Sequence, residues 1–507
     1  MAATLERPAR AAVGLRSERG PVLGAIMLTT GLIALDGTII ATAVPSIVGD
    51  LGGFSQFPWL FSIYLLTQAI TVPIYGKVAD AVGRKPVMIF GIVAFLVASV
   101  LCGVAWSMPT LIVARALQGV GAGAIQPMGI TIIGDLYSVE ERSRVQGYVA
   151  SVWGAASVAG PAMGGLFSEY VSWRWIFFVN LPLGAVALLA LQRRFHERVE
   201  RRRHSIDYLG AVLLTSGCSL LILGLLEGGN AWAWGSATGL LVLGGALACL
   251  VAFVAVERRA VDPVLPLWVF QRRVLLGGNL TALGVGALLI GLSSYVPTYV
   301  QNVLGKGAVT AGLALGALTF GWPIAAALSG RFYLRIGFRN TALIGVAFAV
   351  TGSVLTLLLS AESSIGAVAA AMFVTGVGLG FMASPTMVAV QSVVGWDRRG
   401  VVTGTNMFCR AMGSAVGAAL FGAIANTTLS RLFASPPAAV AGGLPDDVDS
   451  ASTALTSADA GVVAFVRDAL FDASHAVFAG LLLVAVLMAV TVALIPRRTT
   501  QLVFDES

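Results

Sequence analysis

Charge is what this 507-residue chain has least of. Only 11% of its residues are Asp, Glu, Lys or Arg, against 57% hydrophobic, where a soluble domain carries about 25% charged residues. A mean hydropathy of +0.87 over the whole length leaves too little polar surface to cover a soluble core of this size. A soluble enzyme and a disordered chain are therefore excluded. Cysteine is scarce as well: Cys102, Cys218, Cys249 and Cys409 all fall inside apolar runs and lack metal-ligand spacing, which excludes a disulfide scaffold and leaves them as small core residues. The three histidines, His196, His204 and His475, are scattered. There is no His-Glu-x-x-His, no nucleophile elbow and no Gly-x-x-x-x-Gly-Lys-Ser/Thr phosphate loop. Nothing points to catalysis, to a metal or to a cofactor.

What is present is a succession of apolar runs about twenty residues long. That is helix length for a bilayer, unlike the ten-residue alternation of a membrane barrel. Fourteen are read, over about 21–45, 57–75, 86–106, 109–134, 145–167, 174–191, 207–226, 236–256, 274–300, 308–329, 340–360, 365–390, 401–424 and 473–496. The expected fold class is an all-α polytopic membrane protein. Lys and Arg orient it. With a cytoplasmic N-terminus, 26 of the 32 cations lie on the inner side. Four (Arg174, Lys306, Arg431, Arg467) lie outside, and Arg115 and Arg410 lie within spans. Both termini are thus expected in the cytoplasm. The net charge of +7 reads as basic loops facing anionic lipid headgroups rather than nucleic acid. The first apolar run, which follows Arg7, Arg10, Arg16 and Arg19, is expected to be retained, because no small-residue cleavage site and soluble domain follow it. The loop 425–472, with Ser435-Pro436-Pro437, Gly442-Gly443 and an acidic excess, is read as external, either simply solvated or guarding an outer vestibule.

An internal repeat organises the spans. Gly119-Val120-Gly121-Ala122-Gly123 matches Gly376-Val377-Gly378-Leu379-Gly380 at an offset of 257, as Gly147, Gly160 and Gly165 match Gly404, Gly417 and Gly422, and Arg142 matches Arg399. The shift is eight spans, which two six-span halves and two inserted spans produce. The expected organisation is a tail over 1–20, a six-helix bundle over 21–192, and a basic loop, two inserted helices and a linker over 193–272. A second six-helix bundle follows over 273–496, including the loop 425–472, then a tail over 497–507. Two parallel repeats of this kind place a substrate path between them.

An acid at the centre of a span costs roughly 2.5–3.5 kcal/mol, and only Asp36 lies that deep. It sits about fourteen residues, or roughly 21 Å, from the inner end of its span. Arg115, about six residues from the outer end of span 4, lies at similar depth, and each charge needs a partner in low dielectric. The two are expected to approach, directly or through water. Burial favours the neutral acid and a guanidinium favours the carboxylate, the opposing pulls that a proton carrier needs. The alternative is a static ion pair locking span 1 to span 4. Arg410, about nine residues into span 13, is a cation in excess. It snorkels or binds carbonyls, or it faces the path and meets an anionic substrate group. Gln118, Gln126, Asn180 and Asn406 are further candidates for the substrate path.

Between spans 2 and 3 the chain reads Gly76-Lys77-Val78-Ala79-Asp80-Ala81-Val82-Gly83-Arg84-Lys85. Gly76 permits close helix approach, Gly83 a tight turn, and Asp80, Arg84 and Lys85 form a charge cluster suited to a gate. This spacing resembles the signature loop of the major facilitator superfamily, Gly-x-Leu-Ala-Asp-x-x-Gly-Arg-Lys. Arg115-Ala116-Leu117-Gln118-Gly119 resembles that superfamily's span-4 motif, whose Arg is associated with proton transfer. The stretch from Gly154 to Gly165, with Gly160, Pro161 and Gly164, resembles its span-5 antiporter motif. Leu35-Asp36-Gly37-Thr38, and Trp173-Arg174-Trp175 running on to Asn180-Leu181-Pro182, are similar to motifs of the fourteen-span drug/proton antiporter family.

The resemblance implies two six-helix bundles with two extra helices and a proton-coupled secondary exporter of amphipathic or lipophilic small molecules. Asp36 and Arg115 would couple protons, with the proton motive force in place of a cofactor. It implies a bacterial inner (plasma) membrane location; a monomer is expected. The alternative is a dedicated exporter of one endogenous lipid, siderophore or secondary metabolite. In the second half Leu334 stands where the gating Asp would be and Met372 where the repeat would put Arg. Gating and proton chemistry are thus expected in the first half. With no deep second-half carboxylate, neutral, lipophilic or monocationic substrates are favoured over polycations.

Overall fold

The computed structural model describes residues 14–52, 59–197, 207–228, 232, 235–260, 263–434, 436–437 and 459–497. These form α1 (Gly20–Leu51), α2 (Trp59–Val82), α3 (Arg84–Gly103), α4 (Met108–Leu136), α5 (Val139–Tyr170), α6 (Trp175–Phe178), α7 (Asn180–Arg194), α8 (Tyr208–Glu227), α9 (Ala237–Glu257), α10 (Arg273–Thr298), α11 (Ala308–Leu357), α12 (Ile365–Ser392), α13 (Arg399–Phe433) and α14 (Ala460–Ala493). In lipid every backbone group must be satisfied within the segment, and helices do that. Their starts are set by short polar residues: Ser107 and Ser138 close reciprocal capping boxes with Thr110 and Glu141, and Asp207, Ser236 and Ser364 each accept an amide of the first turn.

Among the described residues, eleven helices are long and apolar enough to cross a membrane. They differ from the fourteen expected spans at three places. α11 runs 50 residues across a break at Gly337, whose φ of 83° and ψ of 164° bend two helices out of one. α5, 32 residues long, and α8, 20 residues long, are helices at the expected places but do not count among the eleven over their described residues. The outer loop expected over 425–472 is shorter than that. α13 reaches Phe433 and α14 starts at Ala460, because Asn426, Thr427, Arg467 and Asp468 extend their helices as polar turns that hydropathy reads as loop. Gly442-Gly443, the basic run beyond Glu197, Arg7, Arg10 and Arg498 lie outside the described residues.

The chain divides into two compact units, Met1–His204 with Val394–Gly404, and Ser205–Val393 with Thr405–Ser507. In the first, α1 packs on α5 and α7, and α4 on α2 and α3. In the second, the two limbs of α11 pack on α12, α8 packs on α9, and α10 and α14 pack together. The glycine repeat has the same job in both. A Cβ on Gly119 would lie 2.4 Å from the Tyr64 carbonyl oxygen on α2, and one on Gly121 would lie 2.6 Å from the Phe95 nitrogen on α3. A Cβ on Gly376 would lie 2.2 Å from the Leu318 carbonyl oxygen, and one on Gly378 would lie 2.5 Å from the Ala349 nitrogen, on the two limbs of α11. Alternate glycines thus serve alternate neighbours, letting one helix touch two backbones at once. The hairpins repeat as well: Gly83 (φ 103°) turns α2 into α3 as Gly337 turns the limbs of α11, a conformation that favours glycine.

Candidate functional site

Asp36 lies in the first unit at the meeting of four other helices. Its side chain is 1% exposed, as is that of Arg115 on α4. Arg115 donates from one terminal nitrogen to Asp36 Oδ2 at 2.6 Å and to Gln118 Oε1 at 2.7 Å, and from Nε to the Leu60 carbonyl oxygen on α2 at 3.1 Å. The other carboxylate oxygen accepts from Gln118 Nε2 at 2.7 Å and from Asn180 Nδ2 on α7 at 3.2 Å. Ser99 on α3 ties the amides together, accepting from Gln118 at 3.0 Å and Asn180 at 3.4 Å while donating to the Phe95 carbonyl. The Arg115 guanidinium also stacks over the Tyr64 ring, 4.2 Å from its centroid. Ion pairing alone repays desolvation poorly. Here the charges are also met by hydrogen bonds, and these strengthen in low dielectric. Two atoms are left over: Tyr64 Oη and Asn180 Oδ1 are buried without a hydrogen-bond partner among the described residues.

The structure brings Asp36 and Arg115 together. Gln118 and Asn180, read above as candidates for the substrate path, both donate to Asp36. Both are fully buried. Tyr64 and Ser99 were not read from the sequence; their only signal is a hydroxyl within an apolar run. Gln126, half-buried, accepts from Gln68 Nε2 on α2 at 3.0 Å. In the second unit Asn406, on α13, donates to the Gly278 carbonyl at 3.0 Å. Arg410, on the same helix, is half-buried with no ion pair or side-chain hydrogen bond among the described residues.

A second cluster gathers where α2 meets α3. Arg84, 0% exposed, donates to Asp80 Oδ1 at 2.9 Å and to the Trp396 carbonyl at 2.5 Å, pairs with Asp135 Oδ2 at 3.1 Å, and lies 3.6 Å over the Trp396 ring. Arg399 completes the bridge to Asp135 at 2.9 Å, and Arg142 joins it at the Gly134 carbonyl. Asp80 does more than pair with arginine: it accepts the backbone N–H of Gly400 at 2.9 Å and of Val401 at 2.8 Å, at the first turn of α13. Gly76 makes room, since a Cβ there would lie 2.6 Å from the Gly400 carbonyl oxygen. Glu197 accepts the Arg84 and Lys85 amides at 2.9 Å each, and Lys85 Nζ binds the Gln192 and Phe195 carbonyls at the end of α7. Asp135, Trp396 and Glu197 were missed because their partners are distant in sequence. In the last turn of α1, past its apolar span, Asp50 accepts from Arg174 at 2.7 Å, which holds that exposed carboxyl below its ordinary range.

The antiporter-motif glycines lie on α5, with Gly154 and Gly164 buried; of Pro161 only its place within that helix is described. A Cβ on Gly160 would lie 2.0 Å from Thr38 Oγ1 on α1, and Thr38 itself donates to the Ala156 carbonyl at 3.0 Å. Gly165 has nothing within 4 Å. Gly160→Ala is therefore expected to cost about 1–3 kcal/mol by overpacking, whereas Gly165→Ala is neutral or gains up to about 1 kcal/mol of helix propensity. Melting temperatures of the two purified variants check this; equal values would reject the α1–α5 contact.

The sequence profile of the Major Facilitator Superfamily matches residues 26–418. Multidrug resistance protein 3 of Bacillus subtilis is 33% identical over 483 residues, covering 93% of this chain and 94% of the relative. The multidrug transporter protein MdtP of the same species is 33% identical over 442 residues, covering 87% and 82%. Among solved structures, the human organic anion transporter MFSD10 aligns with a TM-score of 0.61 at 15% identity over 92% of this chain and 99% of its own, a likeness of fold alone. With the profile spanning most of the chain and a multidrug resistance protein aligned almost end to end, the chain belongs to the Major Facilitator Superfamily and is a transporter, not an enzyme.

Proposed function

We propose that this transporter is a proton-coupled exporter of amphipathic or lipophilic small molecules, a multidrug-type antiporter in a bacterial plasma membrane with both termini inside. The observation that carries the reading is the buried acid: Asp36, held by Arg115, Gln118 and Asn180, with two unpartnered polar atoms beside it. An ionisable group kept dry in a span marks function more often than stability. At 1% exposure it exchanges no proton directly with bulk water in this state, so exchange belongs to a state in which the network loosens. Tyr64 Oη and Asn180 Oδ1 offer the first places for an entering water. In the cycle, protonation of Asp36 frees Arg115 from its counter-charge, and the two-sided network rearranges.

The Asp80 cluster acts as the gate. It holds the first turn of α13, a helix whose remaining length belongs to the second unit, so holding or freeing that turn switches the helix. Energy comes from the proton motive force, roughly 2.3 kcal/mol per 100 mV and about 1.4 kcal/mol per pH unit. The relatives named for multidrug resistance and transport support the substrate class.

The test is proteoliposomes of purified protein loaded with a pH-sensitive dye. An imposed pH gradient is expected to drive transport of a lipophilic cation such as ethidium, and ethidium added to preformed gradients should dissipate them. A protonophore should abolish both effects. Ethidium flux indifferent to the pH gradient would reject proton coupling.

A further inference from the structure

We infer that the open groove between the starting end of α1 and the far end of α7 is a binding site for one anionic phospholipid. The groove holds about 460 Å³ and is lined by small and apolar residues, among them Pro21, Gly24, Leu28 and Leu189, with Arg193 and Arg194 at its mouth. Three features fit a lipid. The groove is elongated: Pro21 to Leu28 is about two helical turns, roughly 10 Å along the bilayer normal, the direction an acyl chain runs. A glycine lines it: a Cβ on Gly24 would have only the Leu15 side chain within 4 Å, at 3.8 Å, so there is space at this wall for a larger residue to occupy. Its charge is of one sign, for Arg193 and Arg194 are exposed and neither has an ion pair or side-chain hydrogen bond among the described residues.

The neighbouring cations differ. Arg19 is engaged by Glu141 and the Leu136 carbonyl, and Lys85 by backbone carbonyls. The two arginines that line the groove are therefore available to an external phosphate. Two guanidiniums beside an apolar slot complement a negatively charged headgroup above a fatty tail. A zwitterionic headgroup would bring an ammonium to the same two cations. The site also has leverage, because α1 and α7 are the helices joined by the Asn180–Asp36 hydrogen bond.

Native mass spectrometry of the full-length purified protein with dioleoylphosphatidylglycerol or dioleoylphosphatidylcholine tests this. Wild type is expected to retain phosphatidylglycerol preferentially. A basic residue near an anionic surface is worth roughly fivefold in affinity, so Arg193→Gln with Arg194→Gln should lower phosphatidylglycerol binding by about tenfold or more and leave phosphatidylcholine binding unchanged. Arg193→Lys with Arg194→Lys should keep most of it. Gly24→Leu should reduce retention by filling the slot with both arginines intact. Glycerol phosphate added in millimolar excess should not compete; competition would mean a phosphate site rather than a lipid site and would overturn the inference. So would phosphatidylglycerol binding that is unchanged in both the double Gln variant and Gly24→Leu, or phosphatidylcholine binding equal to that of phosphatidylglycerol in wild type. A double Gln variant that loses both lipids together would show a damaged fold, and Gly24→Leu then decides alone.

Discussion

Asp36→Asn lowers proton-driven efflux by about 10²-fold or more, the scale on which a proton-transferring group contributes, while exchange of substrate down its own gradient persists. Asn keeps the size of the side chain and can still accept from Gln118, but it cannot carry the proton. The single variant also leaves Arg115 buried without its anion, which costs roughly 3–5 kcal/mol when a buried pair loses one member. Loss of activity could thus come from loss of fold. The double variant Asp36→Asn with Arg115→Gln separates the two. It removes both charges, so its melting temperature should recover most of what Asp36→Asn loses, yet coupling should stay absent. Coupled efflux in either variant would remove Asp36 from the mechanism. A double variant as unstable as the single one would show that the hydrogen bonds from Gln118 and Asn180, rather than charge balance, hold the site.

That pair was legible in the sequence for a simple reason. One acid and one base in long apolar runs are expensive, and depth along two helices of known direction sets them at the same height. The shell around them was only half legible. Gln118 and Asn180 stood out as amides in apolar surroundings, but an amide signals polarity, not which way it points. Spacing alone gave no sign that both would donate to the Asp36 carboxylate. Ser99 and Tyr64 show only a hydroxyl in an apolar run, which does not single them out, since hydroxyls commonly satisfy themselves on their own helix, as Thr67 and Thr71 do here. The fold was legible where hydropathy and glycine act locally. Gly83 and Gly337 at their turns, and the alternating glycines of α4 and α12, follow from spacing. Helix ends beyond the apolar core were not, because polar turns such as those closing α13 and opening α14 look like loop to any hydropathy scale. The partners in the Asp80 cluster were hidden by distance: Asp135 and Arg399 are 264 residues apart.

That cluster supports the other large expected effect. Asp80→Asn should cut turnover by an order of magnitude or more while substrate binding changes little. The Asp80 carboxylate takes three donors at once, the Arg84 guanidinium and the Gly400 and Val401 amides. An asparagine offers one oxygen in place of two, and its NH₂ group would face an amide donor. The buried Arg84 keeps Asp135 but loses its neighbour, and hydrogen bonds to charged groups are worth about 1.5–3 kcal/mol each. Two such bonds hold the start of α13, so their loss shifts an equilibrium between held and free by roughly 10²-fold. Hydrogen exchange reads this directly. In Asp80→Asn the peptide spanning 394–404 should exchange at least about tenfold faster, and the peptides around Asp36 should be unchanged. Asp135→Asn, which removes the shared partner of Arg84 and Arg399, should produce the same pattern from the opposite side of the cluster. Unchanged exchange over 394–404 in both variants would mean that these charges do not hold the helix, and a loss of binding equal to the loss of turnover would mean that they serve the fold rather than the gate.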